Sequence, residues 1–441
     1  MWSAEASKVH ELRLPGWGYD PATGLATLPY ELGEQYRFTE TVQLPVPESA
    51  GAIDRVLDLL YLVAGVSYYK VAAPAVVRSG KAQLAPGAVP FVRDVYTKGL
   101  AEFAYRNDLP HVLDLDPDAG GGPAAAPVPG GDRSRPLVCV GGGKDSIVSI
   151  EAIRRAGYRP VLFAVNPNRI IEDVAAASGL PLLAARRRID PQLFELNRAG
   201  AYNGHIPVTA INSLIAVATA ALHGLGPVVM SNERSASAPN ITWHGVEINH
   251  QWSKSAEAEA GLRDALAAHA GLADGYFSLL RPFSELHIAR MFAPTTRYDH
   301  AMTSCNKAYL LNNPTVRWCG DCPKCRFVFL ALAPFVDRAR LVDIFGKDML
   351  ADAGQIPGYL ELLGIDGHKP FECVGEVAES LVAVQLLRPA GGWNGSPVLA
   401  ALAVRVPEDG WPTAEQAREV FTRQGRGLIP VDFGRVLDDL D

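Results

Sequence analysis

The sequence predicts an α/β fold: a parallel sheet with helices on both faces. Three observations carry this. Short apolar runs recur at residues 137–140, 161–165, 182–185 and 228–231. Helix-like segments lie between them, at 146–156, 170–178 and 208–223. Gly157, Gly179 and Gly224 stand where those helices should end, and glycine reaches the left-handed C-terminal cap without steric penalty. Strands buried on both faces lose polar alternation and read as continuous apolar runs. Their alternation with helices is the pattern of a parallel sheet. In such a sheet, ligands bind beyond the carboxyl ends of the strands, so functional residues should follow the apolar runs.

Composition bounds the rest. The chain has 441 residues, long enough for two or three domains. Hydrophobic residues make up 48% and charged residues 20%, which excludes disorder and coiled coil as overall classes. The net charge of −7, from 41 basic and 48 acidic residues, argues against a nucleic-acid partner. Residues 1–17 lack a basic region followed by an apolar stretch, so no secretory signal is expected. Residues 199–232 hold no Lys, Arg, Asp or Glu, but Asn203, His205, Asn212, Gly224 and Pro227 interrupt them. A buried helix and strand fit that stretch better than a membrane span. A cytoplasmic protein without a membrane partner is expected, and oligomeric state is not legible.

Organisation follows composition. Residues 116–136, DPDAGGGPAAAPVPGGDRSRP, are rich in Gly, Pro and Ala and read as a linker or long surface loop. Residues 1–115 form an expected N-terminal α+β domain, with a strand at 36–44 and a helix at 52–66. Residues 137–340 form the central domain. Residues 341–441 are expected as a small C-terminal α+β domain, with strands at 381–387 and 398–406 and a helix at 413–422. No internal repeat is present.

The strand at 137–140 runs into Gly141, Gly142, Gly143, Lys144, Asp145 and Ser146. Three glycines let the backbone turn tightly and approach a ligand. They also expose N–H groups beside a helix N-terminus, which makes an anion site. Lys144 adds a charge, Ser146 a hydroxyl, and Asp145 can hold Mg²⁺. Neither the mononucleotide P-loop nor GxGxxG fits this spacing. Asn166, Asn168 and Arg169 follow the second strand. Asn232, Glu233 and Arg234 follow the strand at 228. Both groups lie where the carboxyl edge of the sheet should face a ligand. Arg186, Arg187 and Arg188 end another strand, and either phosphate contact or solvation would explain them.

Cys305, Cys319, Cys322 and Cys325 lie within 21 positions. The last three form CGDCPKC, and two-residue spacers bring thiolates within tetrahedral reach of one metal ion. A closed structural Zn²⁺ site is expected, with an iron–sulfur cluster as the alternative. Cys139, inside an apolar strand, reads as core.

The loop GGGKDS resembles the pyrophosphatase loop of the PP-loop ATPases, usually SGGxDS, with Gly141 in place of the first serine. Together with the cysteine set it is similar to the 7-cyano-7-deazaguanine synthases over roughly residues 135–334. Those enzymes lack the first 115 residues and the tail. A fuller resemblance runs to the ATP-dependent UDP-N-acetyl-α-D-muramoyl-L-alanyl-L-glutamate epimerases. It is carried by GVSYYK (65–70), GGGKDS (141–146), NGHIPV (203–208), SNERSAS (231–237), INHQWSKS (248–255), CGDCPKC (319–325) and KPFECVG (369–375).

That resemblance implies a PP-loop (HUP-like) core. It implies epimerisation of the terminal L-glutamate of a peptidoglycan precursor through carboxylate adenylation, with ATP cleaved to AMP and diphosphate. ATP and Mg²⁺ would lie against Gly141, Gly142, Gly143, Lys144, Asp145, Ser146, Asn166, Asn232 and Glu233. Lys144, Asp145 and Ser146 would serve the departure of diphosphate. Cys373, His205, His250 and Lys254 lie in the resembling segments and are the candidates for proton transfer. The second reading is a PP-loop enzyme acting on a nucleobase or RNA, by nitrile synthesis or tRNA thiolation.

Overall fold

The apolar runs after residue 136 become neighbouring strands because each can bury both of its faces. In the computed structural model, residues 2–47, 53–309, 317–365, 372, 374–388 and 391–440 are described. The strands are β1 (Glu11–Leu14), β2 (Gly18–Asp20), β3 (Leu25–Leu32), β4 (Tyr36–Gln43), β5 (Val76–Ser79), β6 (Leu137–Cys139), β7 (Val161–Val165), β8 (Leu182–Arg188), β9 (Val228–Met230), β10 (Ile241–Trp243), β11 (Val246–Ile248) and β12 (Tyr276–Ser278). Ten of them form one sheet, in the order β12-β9-β6-β7-β8-β4-β3-β1-β5, with β2 on β3. β10 and β11 make a separate hairpin.

From β12 to β8 all neighbours are parallel. Strand order reverses between β6 and β9, and that reversal opens a crevice at the carboxyl edge. Successive residues serve different cores. Leu137, Val161, Val228 and Tyr276 join one apolar cluster, and Val138, Leu162, Val229 and Phe277 join the other. Helices α1 (Asp54–Ala64) and α4 (Val208–Leu222) belong to the first cluster; α2 (Lys144–Arg155), α3 (Arg169–Ser178), α6 (Glu285–Phe292) and α7 (Pro323–Leu332) belong to the second. Helix α5 (Ala256–Ala265) lies between the hairpin and β12 in the chain. Gly157, Gly179 and Gly224 all take positive φ, as their capping positions require. No described helix is long and apolar enough to cross a membrane.

The N-terminal strands extend this sheet through β4, which pairs antiparallel with β8. Arg187 is therefore not a phosphate contact. It lies buried in the seam, where Nε and Nη2 reach the Glu40 carboxylate at 2.7 and 3.0 Å and Nη2 also reaches Ser67 Oγ at 2.8 Å. Residues 116–136 run along the surface, tied by backbone bonds from Ala125 to Ala268, Val128 to Gly271 and Asp132 to Gly224.

The tail departs from expectation. Residues 381–387 and 398–406 are not strands. The first lies in α8 (Val377–Leu387) and the second in α9 (Pro397–Arg405) with Val406 as its C-cap, and Ala414–Val420 is helical as expected. Beyond Arg317 the described residues contain helices and turns and no strand.

Candidate active site

Three glycines turn the chain from β6 into α2 at the switch point of the sheet. Gly142 has φ +89, and an added Cβ there would lie 2.7 Å from Ile170 and 2.9 Å from the Tyr309 hydroxyl. At Gly143 it would meet Ser304 Oγ at 2.7 Å. At Gly141 it would meet nothing within 4 Å, so only that position has open space before it. Tyr309 donates its hydroxyl to the Gly141 carbonyl at 2.7 Å, and the Thr303 N–H donates to the Gly142 carbonyl at 2.9 Å. The carbonyls are thus held from behind. Among the described residues, the N–H groups of Gly141, Gly142 and Gly143 have no acceptor. Three free donors at a helix N-terminus form an anion cradle.

A charged cluster lies beside it. Lys144, 1% exposed, places its ammonium against both Asp145 and Glu285. Lys324, between two of the cysteines, stands 3.6 Å from Glu285. Burial alone would raise Glu285, but Lys144 and Lys324 hold its carboxyl down to about 2. Burial pushes Asp145 up, Lys144 opposes this, and the Glu285 charge adds to the rise. Glu233 is lifted to about 7 by burial and by the Glu285 charge, against the pull of Lys254 and Lys324. A buried carboxyl poised near neutrality beside an anion cradle marks a site of chemistry more than of stability.

The four expected cysteines converge. Sulfur separations are 4.0 Å for Cys305–Cys322, 3.7 Å for Cys319–Cys325 and 3.5 Å for Cys322–Cys325. Four sulfurs about 2.3 Å from a tetrahedral ion stand about 3.8 Å apart, so the set fits one metal ion. Backbone N–H groups of Cys319 and Cys325 point at Cys305 and Cys322 sulfurs, both at 3.4 Å.

A second constellation gathers Glu102, His205 and His250. Glu102, from the helix Ala101–Asn107, is hydrogen-bonded to His250 Nδ1 and receives Arg106 Nε at 2.6 Å. The rings of His205 and His250 are 4.4 Å apart. The Lys70 ammonium reaches Asn203 Oδ1 at 2.6 Å, next to His205. The Lys254 charge lowers both His205 and Glu233, and Arg281 bonds the Glu233 carbonyl at 2.6 Å and the Lys254 carbonyl at 2.5 Å.

Two family models match the chain, the MurL N-terminal domain over residues 3–279 and the MurL C-terminal domain over residues 301–417. A protein of Salinispora tropica named UDP-N-acetyl-alpha-D-muramoyl-L-alanyl-L-glutamate epimerase is 58% identical over 451 residues, covering 100% of this chain and 98% of its own. One of the same name from a Micromonospora species is 58% identical, covering 99% of this chain and 100% of its own. Another of that name from Xanthomonas oryzae pv. oryzae is 43% identical, covering 98% and 97%. The chain belongs to the MurL epimerase family. No solved structure matches it.

Within this MurL chain the expected site residues separate by role. Lys144, Asp145, Ser146, Asn232 and Glu233 follow β6 and β9 at the crevice. Ser146 donates to the Gly143 carbonyl at 3.0 Å and tightens the turn. The Asn166 side chain is occupied on both sides, donating to the Arg187 carbonyl and accepting from its N–H at 2.9 Å each. It fixes the end of β8. Asn168 caps α3 through Ile171 N–H at 3.2 Å. Cys139 packs against the core. Cys373 lies outside the described residues. Sequence reasoning did not single out Glu102, Lys70, Glu285 or Lys324. Glu102 and Glu285 sit in no recognisable spacing, and their importance follows only from the fold that brings them to His250 and Lys144. A cavity of about 750 Å³ lies at the opposite edge, lined by Arg55, Arg133, Leu225 and Gly275, which precede or flank the strand starts. It is remote from the glycine turn.

Proposed function

We propose that this enzyme inverts the terminal L-glutamate of UDP-MurNAc-L-Ala-L-Glu to D-glutamate, at the expense of ATP cleaved to AMP and diphosphate. Full-length similarity at 58% to relatives named for that epimerisation carries the substrate. The open glycine cradle of a PP-loop type supports the use of ATP.

A free carboxylate holds its α-proton tightly, because removing it places negative charge next to negative charge. Adenylation relieves this. A carboxylate oxygen of the glutamyl residue attacks the α-phosphorus, the bond to the β-phosphate breaks, and diphosphate leaves. The mixed anhydride withdraws charge, and the α-proton becomes acidic enough for a side-chain base. Return of a proton to the other face inverts the centre, and water then frees AMP.

The chain's residues divide this work. N–H groups of Gly141, Gly142 and Gly143 bind phosphate oxygens, and Lys144 stabilises charge developing on the leaving group. Asp145 would hold Mg²⁺, which neutralises triphosphate charge when bound. Glu285 anchors Lys144 in its working position. Cys305, Cys319, Cys322 and Cys325 would fill all four positions of a Zn²⁺ ion, which would then be structural. The assignment fits a peptidoglycan-precursor enzyme.

The test is incubation with ATP, Mg²⁺ and the UDP-muramoyl dipeptide in D₂O. AMP, D-glutamate after hydrolysis, and deuterium at the α-carbon are the expected products. Recovery of ADP alone, or of unlabelled L-glutamate without AMP, overturns the reading.

A further inference from the structure

The cluster around His250 does nothing in the adenylation step, yet it is built as a reactive site. Its members come from four separated parts of the chain. Lys70 ends the short helix Val66–Tyr69, Glu102 lies in Ala101–Asn107, His205 in the loop before α4, and His250 just after β11. Burying an ammonium, a carboxylate and two imidazoles together has a desolvation cost that structure alone does not need. Arg106 and His250 both hold Glu102, and although burial opposes it they keep its carboxyl down to about 2. Glu102 therefore stays ionised and orients the His250 ring through Nδ1.

Lys70 meets the 203–205 loop, whose His205 packs on His250. Its ammonium is bonded to Asn203 Oδ1 at 2.6 Å and the Gly204 carbonyl at 3.4 Å, and the His205 ring lies against His250. Burial, with the Arg187 charge nearby, pushes Lys70 down to about 8, where it can exchange a proton near neutrality. Burial and the His250 charge hold His205 down to about 4, so it is neutral and serves as a wall. Arg281 joins this region to the cradle: its Nη1 donates to the Glu233 carbonyl at 2.6 Å and its Nη2 to the carbonyl of Lys254, four residues after His250, at 2.5 Å.

We propose that Lys70 and His250, the latter oriented by Glu102, are the two groups that remove and return the α-proton of the glutamyl residue, both set against the 203–205 loop. This rests on the adenylation reading above. In one turnover the α C–H bond breaks and its proton passes to one group. A new C–H bond then forms with a proton given by the other. Exchange with water restores both groups.

The same donor atoms of Glu102, His205 and His250 lie within 4.8 Å of one another, a spacing that also suits a metal ion. The positive charges of Lys70, Arg106 and Lys254 around them disfavour a cation there.

Lys70→Met and His250→Gln separate the steps when run with ATP, Mg²⁺ and the L-Glu substrate in D₂O. Both variants should still release AMP, which reports folding and adenylation in the same tube. Both should form D-glutamate at least 100-fold more slowly than wild type. L-Glutamate recovered from one variant should carry deuterium, since its proton is removed and replaced on one face. That from the other should carry none. Should His250→Gln not fold, His250→Asn repeats the measurement. D-Glutamate formed at the wild-type rate by either variant overturns the proposal. So does loss of AMP together with D-glutamate in both. So does a second transition-metal ion in the wild type that His250→Gln loses. Absence of AMP from the wild type would instead strike the adenylation reading.

Discussion

Two adjacent glycines in the cradle carry different constraints. Gly142 sits at φ +89 with neighbours at 2.7 and 2.9 Å from an added Cβ, whereas Gly141 faces open space. Gly142→Ala should lower AMP formation by at least tenfold. Gly141→Ser, which restores the residue usual in related loops, should retain it, because the hydroxyl projects into the ligand's space without displacing backbone. Equal losses in the two variants, measured as AMP release, would mean the turn is not the phosphate site. Glu233 gives a pH signature. Burial lifts its carboxyl to about 7, so between its unfolded value near 4.5 and about 7 the folded protein binds the extra proton. Its contribution is fully present below the unfolded value and is lost as pH rises through 7. Glu233→Gln should remove that dependence, recovering up to about 3 kcal/mol relative to wild type at pH 8, in denaturant titrations without nucleotide or Mg²⁺. A parallel pH dependence in the two proteins would place the titration elsewhere.

Helices and turns, taken as units, connect the metal set to the cradle. Thr303 holds Gly142 and, through its hydroxyl, the N–H of Cys305 at 3.0 Å, and Lys324 between Cys322 and Cys325 faces Glu285. Losing the proposed ion should therefore loosen the cradle. Cys322→Ser is expected to lose bound zinc and at least tenfold of AMP formation, while Asp145→Asn loses AMP formation and keeps zinc. Metal analysis beside AMP assays checks both, and zinc loss in Asp145→Asn would make Asp145 a folding residue. The sequence made the cysteine set and the glycine turn legible because spacing alone brings their atoms together. The tail was misread for a physical reason. α8 and α9 are so apolar that no polar stripe reveals the helical period, and Val and Leu runs suit a buried strand equally. The deciding signals were at the ends. Glu376 and Glu379 form a capping box at the N-terminus of α8, and Ser396 caps α9 with Pro397 in its first turn.

On the scale of the molecule, the sheet joins two halves that composition separates. From residue 137 onward four of the five strands in the parallel run were readable, since local apolar runs and glycine caps specify them; three-residue β12 was not, being too short to stand out. The pairing of β4 with β8 was not, because it joins residues about 150 positions apart and nothing local encodes it. That seam brings Lys70 to the carboxyl edge. Glu40 is fully buried there, bonded by Arg187 and by the Tyr68 hydroxyl at 3.1 Å, two residues before Lys70. Removing Arg187 leaves the Glu40 charge buried without its counter-ion. Breaking such a pair costs about 3–5 kcal/mol. Arg187→Met should lower stability by that order in denaturant titrations. Pairing it with Glu40→Leu should restore most of the loss, since an apolar pair removes the stranded charge. Activity should divide as well. The cradle is anchored by β6 and α2, so AMP release should survive in the double variant. D-Glutamate formation should fall, because the helix carrying Lys70 loses its tether to β8. A double variant that keeps both activities would show that the seam stabilises the sheet without positioning Lys70.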